Sequence, residues 1–148
     1  MAQEPVRLTY RRRAAEPDLS GNSRKLDLKV IFTDLPKTAA ALAAARTMAR
    51  GLSARITLLV AKVVPYPLPL EAPDVPVEFT EHALASIAPD ADVEIYLCRD
   101  QCEAFLSALP PDAVVILGAR KRRWWPSWEH SLAKMLRHDG RRVLVVTP

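Results

Sequence analysis

The 148 residues, 49% apolar and 26% charged, suit one globular domain with a sizeable core. No apolar run reaches the roughly 20 residues of a membrane helix, and the start, MAQEPVRLTYRRR, is charged where a signal peptide has its apolar centre, so a cytoplasmic protein is expected. The formal net charge of +4 is uneven: residues 1–25 carry six cations against three anions, residues 118–148 eight against two, and the middle seven against twelve. Basic ends can attract nucleic acid or an anionic surface, but such runs are more often solvated surface.

In chain order, residues 1–25 mix charge, proline and small polar residues without periodicity and read as a flexible basic tail, leaving 26–148 as the domain. Leu28 to Thr33 (LKVIFT) is a compact first strand closed by Asp34. The alanine-rich stretch from Thr38 predicts a helix able to lie close to a sheet, with Gly51 as its C-cap. Arg55 to Val64 predicts a second buried strand, and prolines 65, 67, 69, 73 and 76 predict an extended connection. A short helix over Glu78 to Ile87 and a strand over Asp92 to Cys98 follow. Asp100 and Glu103 have the spacing of a capping box opening a helix to about Leu109, which Pro110 and Pro111 stop. Val114 to Leu117 has no polar residue for a solvent face and predicts a strand covered on both sides. A helix from about Ser127 and a last strand, Arg142 to Thr147, complete the chain.

Five strands alternating with four helices predict an α/β fold: a parallel sheet with right-handed crossovers in a three-layer α/β/α sandwich. KVIFTD, the alanine-rich helix, ARITLLVAKV, DAVVILGAR and LRHDGRRVLVV together resemble the universal stress protein domain over about residues 26–148. The resemblance implies strand order 3-2-1-4-5, of the adenine nucleotide alpha hydrolase-like type. In ATP-binding members an aspartate after strand one and the end of strand two hold the adenosine part, and a glycine-rich loop after strand four holds ribose and phosphates. Asp34, Ala61 and Gly118 match three of those positions.

The loop pattern itself, Gly, two residues, Gly, nine residues, Gly, then Ser or Thr, fails here. Lys121 stands at the second glycine, Ser131 at the third and Leu132 at the hydroxyl. Glycines there let backbone N–H groups reach phosphate oxygens, and bulky side chains block that cradle. An alternative is that Arg120, Lys121, Arg122 and Arg123 supply cationic side chains in place of backbone donors. The resemblance therefore implies either a member that acts through protein partners without ATP, or an ATP or AMP binder using Asp34, Ala61, Gly118, Arg120, Lys121 and Ser131.

The residues assemble no enzyme site. Gly21, Gly51, Gly118 and Gly140 are the only glycines, so no P-loop, dinucleotide fingerprint or nucleophile elbow exists. His82, His130 and His138 are scattered without metal-ligand spacing. Cys98 and Cys102 are expected as free thiols without a redox role, although Cys102 sits near a helix start that favours a thiolate. Trp124, Trp125 and Trp128 beside four cations either plug the nucleotide pocket, contact a protein partner or stack bases. Val143, Leu144, Val145 and Val146 form an uncovered edge strand in the implied order, so a homodimer through that strand is expected, the alternative being an edge covered by the basic tail. Arg141 and Arg142 would fix its register if Asp139 of the other copy faced them. The functional expectation is a universal stress protein-like binding or regulatory module, with an adenine-nucleotide binder and a basic adaptor for nucleic acid or an anionic surface as alternatives.

Overall fold

The computed structural model of the protein describes residues 6–13, 26–65, 70, 77–121, 124 and 127–148. In chain order the elements are β1 (Val6–Arg12), β2 (Asp27–Ile31), α1 (Leu35–Leu52), β3 (Arg55–Val63), α2 (Val77–Ile87), β4 (Asp92–Cys98), α3 (Gln101–Ala108), β5 (Val114–Gly118), α4 (Trp128–His138) and β6 (Arg142–Val146). They build one six-stranded sheet in the order β1-β4-β3-β2-β5-β6. All neighbours pair parallel except β1, which runs antiparallel to β4.

Strand count and order thus differ from the five-stranded 3-2-1-4-5 expectation, and the difference is β1. This strand lies inside the stretch expected as a flexible tail, so that expectation is corrected for Val6–Arg12. An unpaired edge on β4 is a row of free N–H and C=O groups, and an extended segment satisfies them whatever its own propensity. The side chains of β1 add to this: Arg11 Nε lies 3.3 Å from Glu94 Oε1, and the Arg12 guanidinium donates to the Ala88 carbonyl at 2.9 Å. Register slips between Leu8 and Tyr10, a bulge that suits an edge.

Both faces of the sheet are covered. On one, Ala41, Leu42 and Ala45 of α1 and Leu84 of α2 pack on Leu28, Val30, Leu58 and Ile95. On the other, Phe105 of α3 and Leu132 and Leu136 of α4 pack on Ile31, Leu59, Val115 and Leu117. The alternation of these two sets along β2 and β3 follows the two-residue period of a strand. Burial of such an apolar side chain contributes about 1.5–3 kcal/mol.

Helix α1 starts before the expected Thr38, because Asp34 caps it and Pro36 fits its first turn. It ends at Leu52, with Ser53 as C-cap at φ 50 rather than Gly51, which stays helical; the Ser53 N–H donates to the Ala49 carbonyl. Of the proline-rich connection expected over 65–76, Pro65 and Leu70 are described; Leu70 packs with Val64 and Leu97 in a small separate cluster, and the rest lies outside the described residues. No helix among the described residues is long and apolar enough to cross a membrane.

Candidate functional site

The carboxyl ends of β2 and β3 open into a cleft of about 350 Å³, lined by Phe32, Thr33, Asp34, Val60, Ala61 and Lys62 from those strand ends, by Gln101 of α3, and by Trp128 and Glu129 of α4. The neighbouring strands β2 and β5 lead to helices on opposite faces, α1 and α4, and such a divergence leaves a crevice at the carboxyl ends of a parallel sheet. The volume is at the lower end of small-molecule sites.

Asp34 is placed by the end of β2 and held by the start of α1. Its carboxylate accepts from the Lys37 backbone N–H at 3.0 Å, and its Oδ2 lies 3.0 Å from Lys37 Nζ. The Lys37 N–H holds its pKa below the ordinary carboxylate value against the upward pull of burial; the Lys37 ammonium and, more weakly, Arg120 act in the same direction. Its side chain is 43% exposed, so it faces the cleft as an anion.

Sequence reasoning missed the two residues that fix the charge of this site. Lys37 Nζ also donates to Glu129 Oε1, so one ammonium bridges the first turns of α1 and α4. Glu129 is only 7% exposed. Burial pushes its pKa up, but the Lys37 hydrogen bond, its own backbone N–H and Ser127 outweigh that, and the net direction is down. Lys37 is raised, first by Glu129 and then by Asp34, against desolvation. Each carboxylate and the ammonium are therefore charged at neutral pH.

Ser127 caps α4, its Oγ accepting from the His130 N–H at 3.3 Å and lying 2.7 Å from His130 Nδ1. With Glu129 in the first turn, the favourable end of the α4 dipole faces an internal carboxylate. A phosphate at that helix start would meet a buried negative charge and a capped N–H.

The expected site residues are distributed unevenly. Asp34 and Ala61 line the cleft, but the Ala61 carbonyl already accepts from Gln101 Nε2 at 3.1 Å. Gly118 does not line it. A Cβ there would lie 2.2 Å from the Lys37 carbonyl oxygen, so the missing side chain admits the backbone of α1. Arg120 and Lys121 are exposed beyond β5, and Ser131 is exposed on α4 away from the cleft lining. Arg122 and Arg123 lie outside the described residues.

The tryptophans divide as well. Trp128 lines the cleft and packs on Phe105 with ring centroids 6.3 Å apart. Trp124 is 85% exposed, so it plugs nothing and that part of the plugging expectation is corrected; Trp125 lies outside the described residues. Burial, with Asp100 and Glu103, pushes the Cys98 thiol up to about 11, and burial with Asp100 raises Cys102 against a lowering contact from Trp128. Cys98 ends β4, and at Cys102 burial outweighs the influence of the α3 start. Among the described residues no three His, Cys, Asp or Glu side chains converge on a possible metal position.

β6 lies at the sheet edge, with Leu144 42% exposed. The described part of the amino-terminal stretch covers β4 instead, at the opposite edge. Arg141 is committed within its own chain, paired with Asp139 and donating to the Leu106 and Leu109 carbonyls at 3.0 and 2.8 Å, so it does not wait for an acid from a second copy. Comparison of the chain with models of known protein families and with curated proteins returned no match.

Proposed function

We propose that the protein is a non-catalytic binding or regulatory module of the universal stress protein type, an α/β/α sandwich that does not take ATP and acts in the cytoplasm through protein partners as a homodimer. The observation that carries this reading is the Lys37 bridge between Asp34 and Glu129. In a phosphate-binding cleft the cation would face the ligand; here it is neutralised by two carboxylates of the protein. Glu129 takes the place at the α4 start that a phosphate would need. Isothermal titration with ATP and AMP tests it: no heat is expected, and nucleotide is not expected to accompany the purified protein. A micromolar dissociation constant that disappears in Asp34→Ala would overturn the reading.

The second reading, an adenine-nucleotide binder with Asp34 on the adenosine part and Arg120 and its neighbours on phosphate, is favoured by one observation. The cleft remains open, with Asp34 and Ala61 on its wall. The third, a basic adaptor, rests on the exposed Trp124 beside Arg120 and Lys121, and predicts binding to single-stranded nucleic acid that falls steeply with salt.

The homodimer forms through Val143, Leu144, Val145 and Val146, beyond which the sheet has no further strand; the Val143 carbonyl accepts from Arg137 Nη2 at 3.0 Å, a contact that pairing would displace. Sedimentation at tens of micromolar should give twice the chain mass for the native protein and the chain mass for Leu144→Lys. A monomeric native protein would sink the dimer.

A further inference from the structure

A second cleft, also of about 350 Å³, lies at the amino ends of β3 and β4, at the far end of the sheet from the site described above. Four guanidinium groups and two carboxylates line it: Arg13 beyond β1, Arg46 and Arg50 on α1, Arg55 opening β3, and Asp90 and Asp92 at the entry to β4. Its remaining wall is apolar, made by Ala49, Ala54 and the buried Ile56.

The carboxylates are already engaged. Asp90 takes both prongs of Arg46 at 2.9 and 3.0 Å, and Arg46 also donates to the Ile87 carbonyl at 3.1 Å. Asp92 lies 3.8 Å from Arg55. Arg13 and Arg50 are exposed and make no hydrogen bond or ion pair within the described residues. The cleft thus holds two cations in excess, on two different elements. Arg46, held by Asp90, lines the same cleft. The basic residue in the last turn of α1 is Arg50 itself, which offsets a partial negative charge of about half a unit at that helix end, so the excess is reduced to roughly one and a half positive charges.

We propose that this cleft binds the phosphate dianion of a small phosphomonoester, Arg13 and Arg50 gripping the phosphate and the Ala49, Ala54 and Ile56 wall covering an apolar organic part. Guanidinium forks match phosphate oxygens two at a time, and the remaining positive excess attracts a dianion more strongly than a monoanion. The volume limits the ligand to a small molecule. The phosphate is dianionic only above its second pKa of about 6, so binding weakens as pH falls to 5.

Titration calorimetry at low salt with phenyl phosphate and with inorganic phosphate tests the site. Phenyl phosphate should bind more tightly than inorganic phosphate, and the Arg13→Ala, Arg50→Ala double variant should weaken it at least about tenfold. Arg50→Lys, which keeps the charge and loses the fork, should fall between. Both positions are exposed, so an unchanged thermal midpoint verifies the fold. Asp34→Ala, at the other cleft, should leave the affinity as it was, which separates this site from the function proposed above. No binding of phenyl phosphate, equal affinity for the two probes, or full affinity in the double variant would overturn the proposal.

Discussion

Two clefts of similar volume open at opposite ends of one sheet, and their charges are arranged on opposite plans. At the carboxyl end a lysine is enclosed by two carboxylates, one of them almost fully buried, which leaves that lysine matched and a net negative charge on the three groups. At the amino end the acids are matched by Arg46 and Arg55, and two further arginines face solvent. The lesson is that the number of charged residues around a cleft says little about what it binds. What matters is which charges remain unmatched after the protein has paired its own.

If the lysine at the carboxyl end is held by its two carboxylates as part of the fold, changes there should destabilise the protein more than changes at the amino end. The largest effect is expected at Gly118, where an added Cβ would press into the Lys37 carbonyl. Gly118→Ala should cost about 3 kcal/mol in urea unfolding, since backbone rather than a flexible side chain must move. A loss under about 1 kcal/mol would show that α1 can shift away from β5 freely.

Lys37→Met comes next, leaving Glu129 buried without its cation, at about 2 kcal/mol near neutral pH. The pH dependence has a definite sign. In the native protein Glu129 has a depressed pKa, so its contribution is complete above the ordinary glutamate value and is lost as pH falls through the lower, folded one. In Lys37→Met burial is no longer opposed by an ammonium, and protonation relieves it. The gap in thermal midpoint between native and variant protein should therefore narrow from pH 7 to pH 4. A gap that stays constant would mean that Glu129 is not the group left stranded.

At the amino end, Arg46→Ala should cost about 0.5–1 kcal/mol, reduced by added salt, because the Asp90 pair is partly exposed. The smallest change is expected for Arg13→Ala with Arg50→Ala, within about 0.5 kcal/mol of native stability. A large destabilisation there would reveal a structural task for these arginines and erase the contrast between the two ends.

Much of the central fold was legible because it is local. LKVIFT, RITLLVAKVV and VVIL carry continuous apolar runs, and Asp100 with its helix start follows from spacing alone; its carboxylate accepts from the Glu103 N–H at 3.0 Å. VRLTYRR was not legible as a strand. Its four polar residues in seven mark it as tail, and only the free edge of β4, some 80 residues on, makes it pair. The candidate site shows the same limit. Asp34 and Ala61 could be placed because each ends a recognisable strand, but nothing near Lys37 or Glu129 reveals that they meet across 92 positions. An acid directly after Ser127 and Trp128 reads as an ordinary first-turn residue, and its burial is a tertiary fact. Gly118 was legible only as a match to a nucleotide-binding position, whereas the space it leaves is filled by α1.

The antiparallel seating of Val6–Arg12 on β4 has a consequence for how many copies can join. A flat sheet with both borders open has a valence of two and can add subunits without end, which is the route to fibrils. β1 itself becomes the border on that side, and its bulge and its arginines disfavour pairing there, so β6 is the border better suited to a neighbour. Pairing through β6 about a twofold axis would leave only the bulged, arginine-bearing β1 borders outermost, which disfavours edge-to-edge growth beyond two copies.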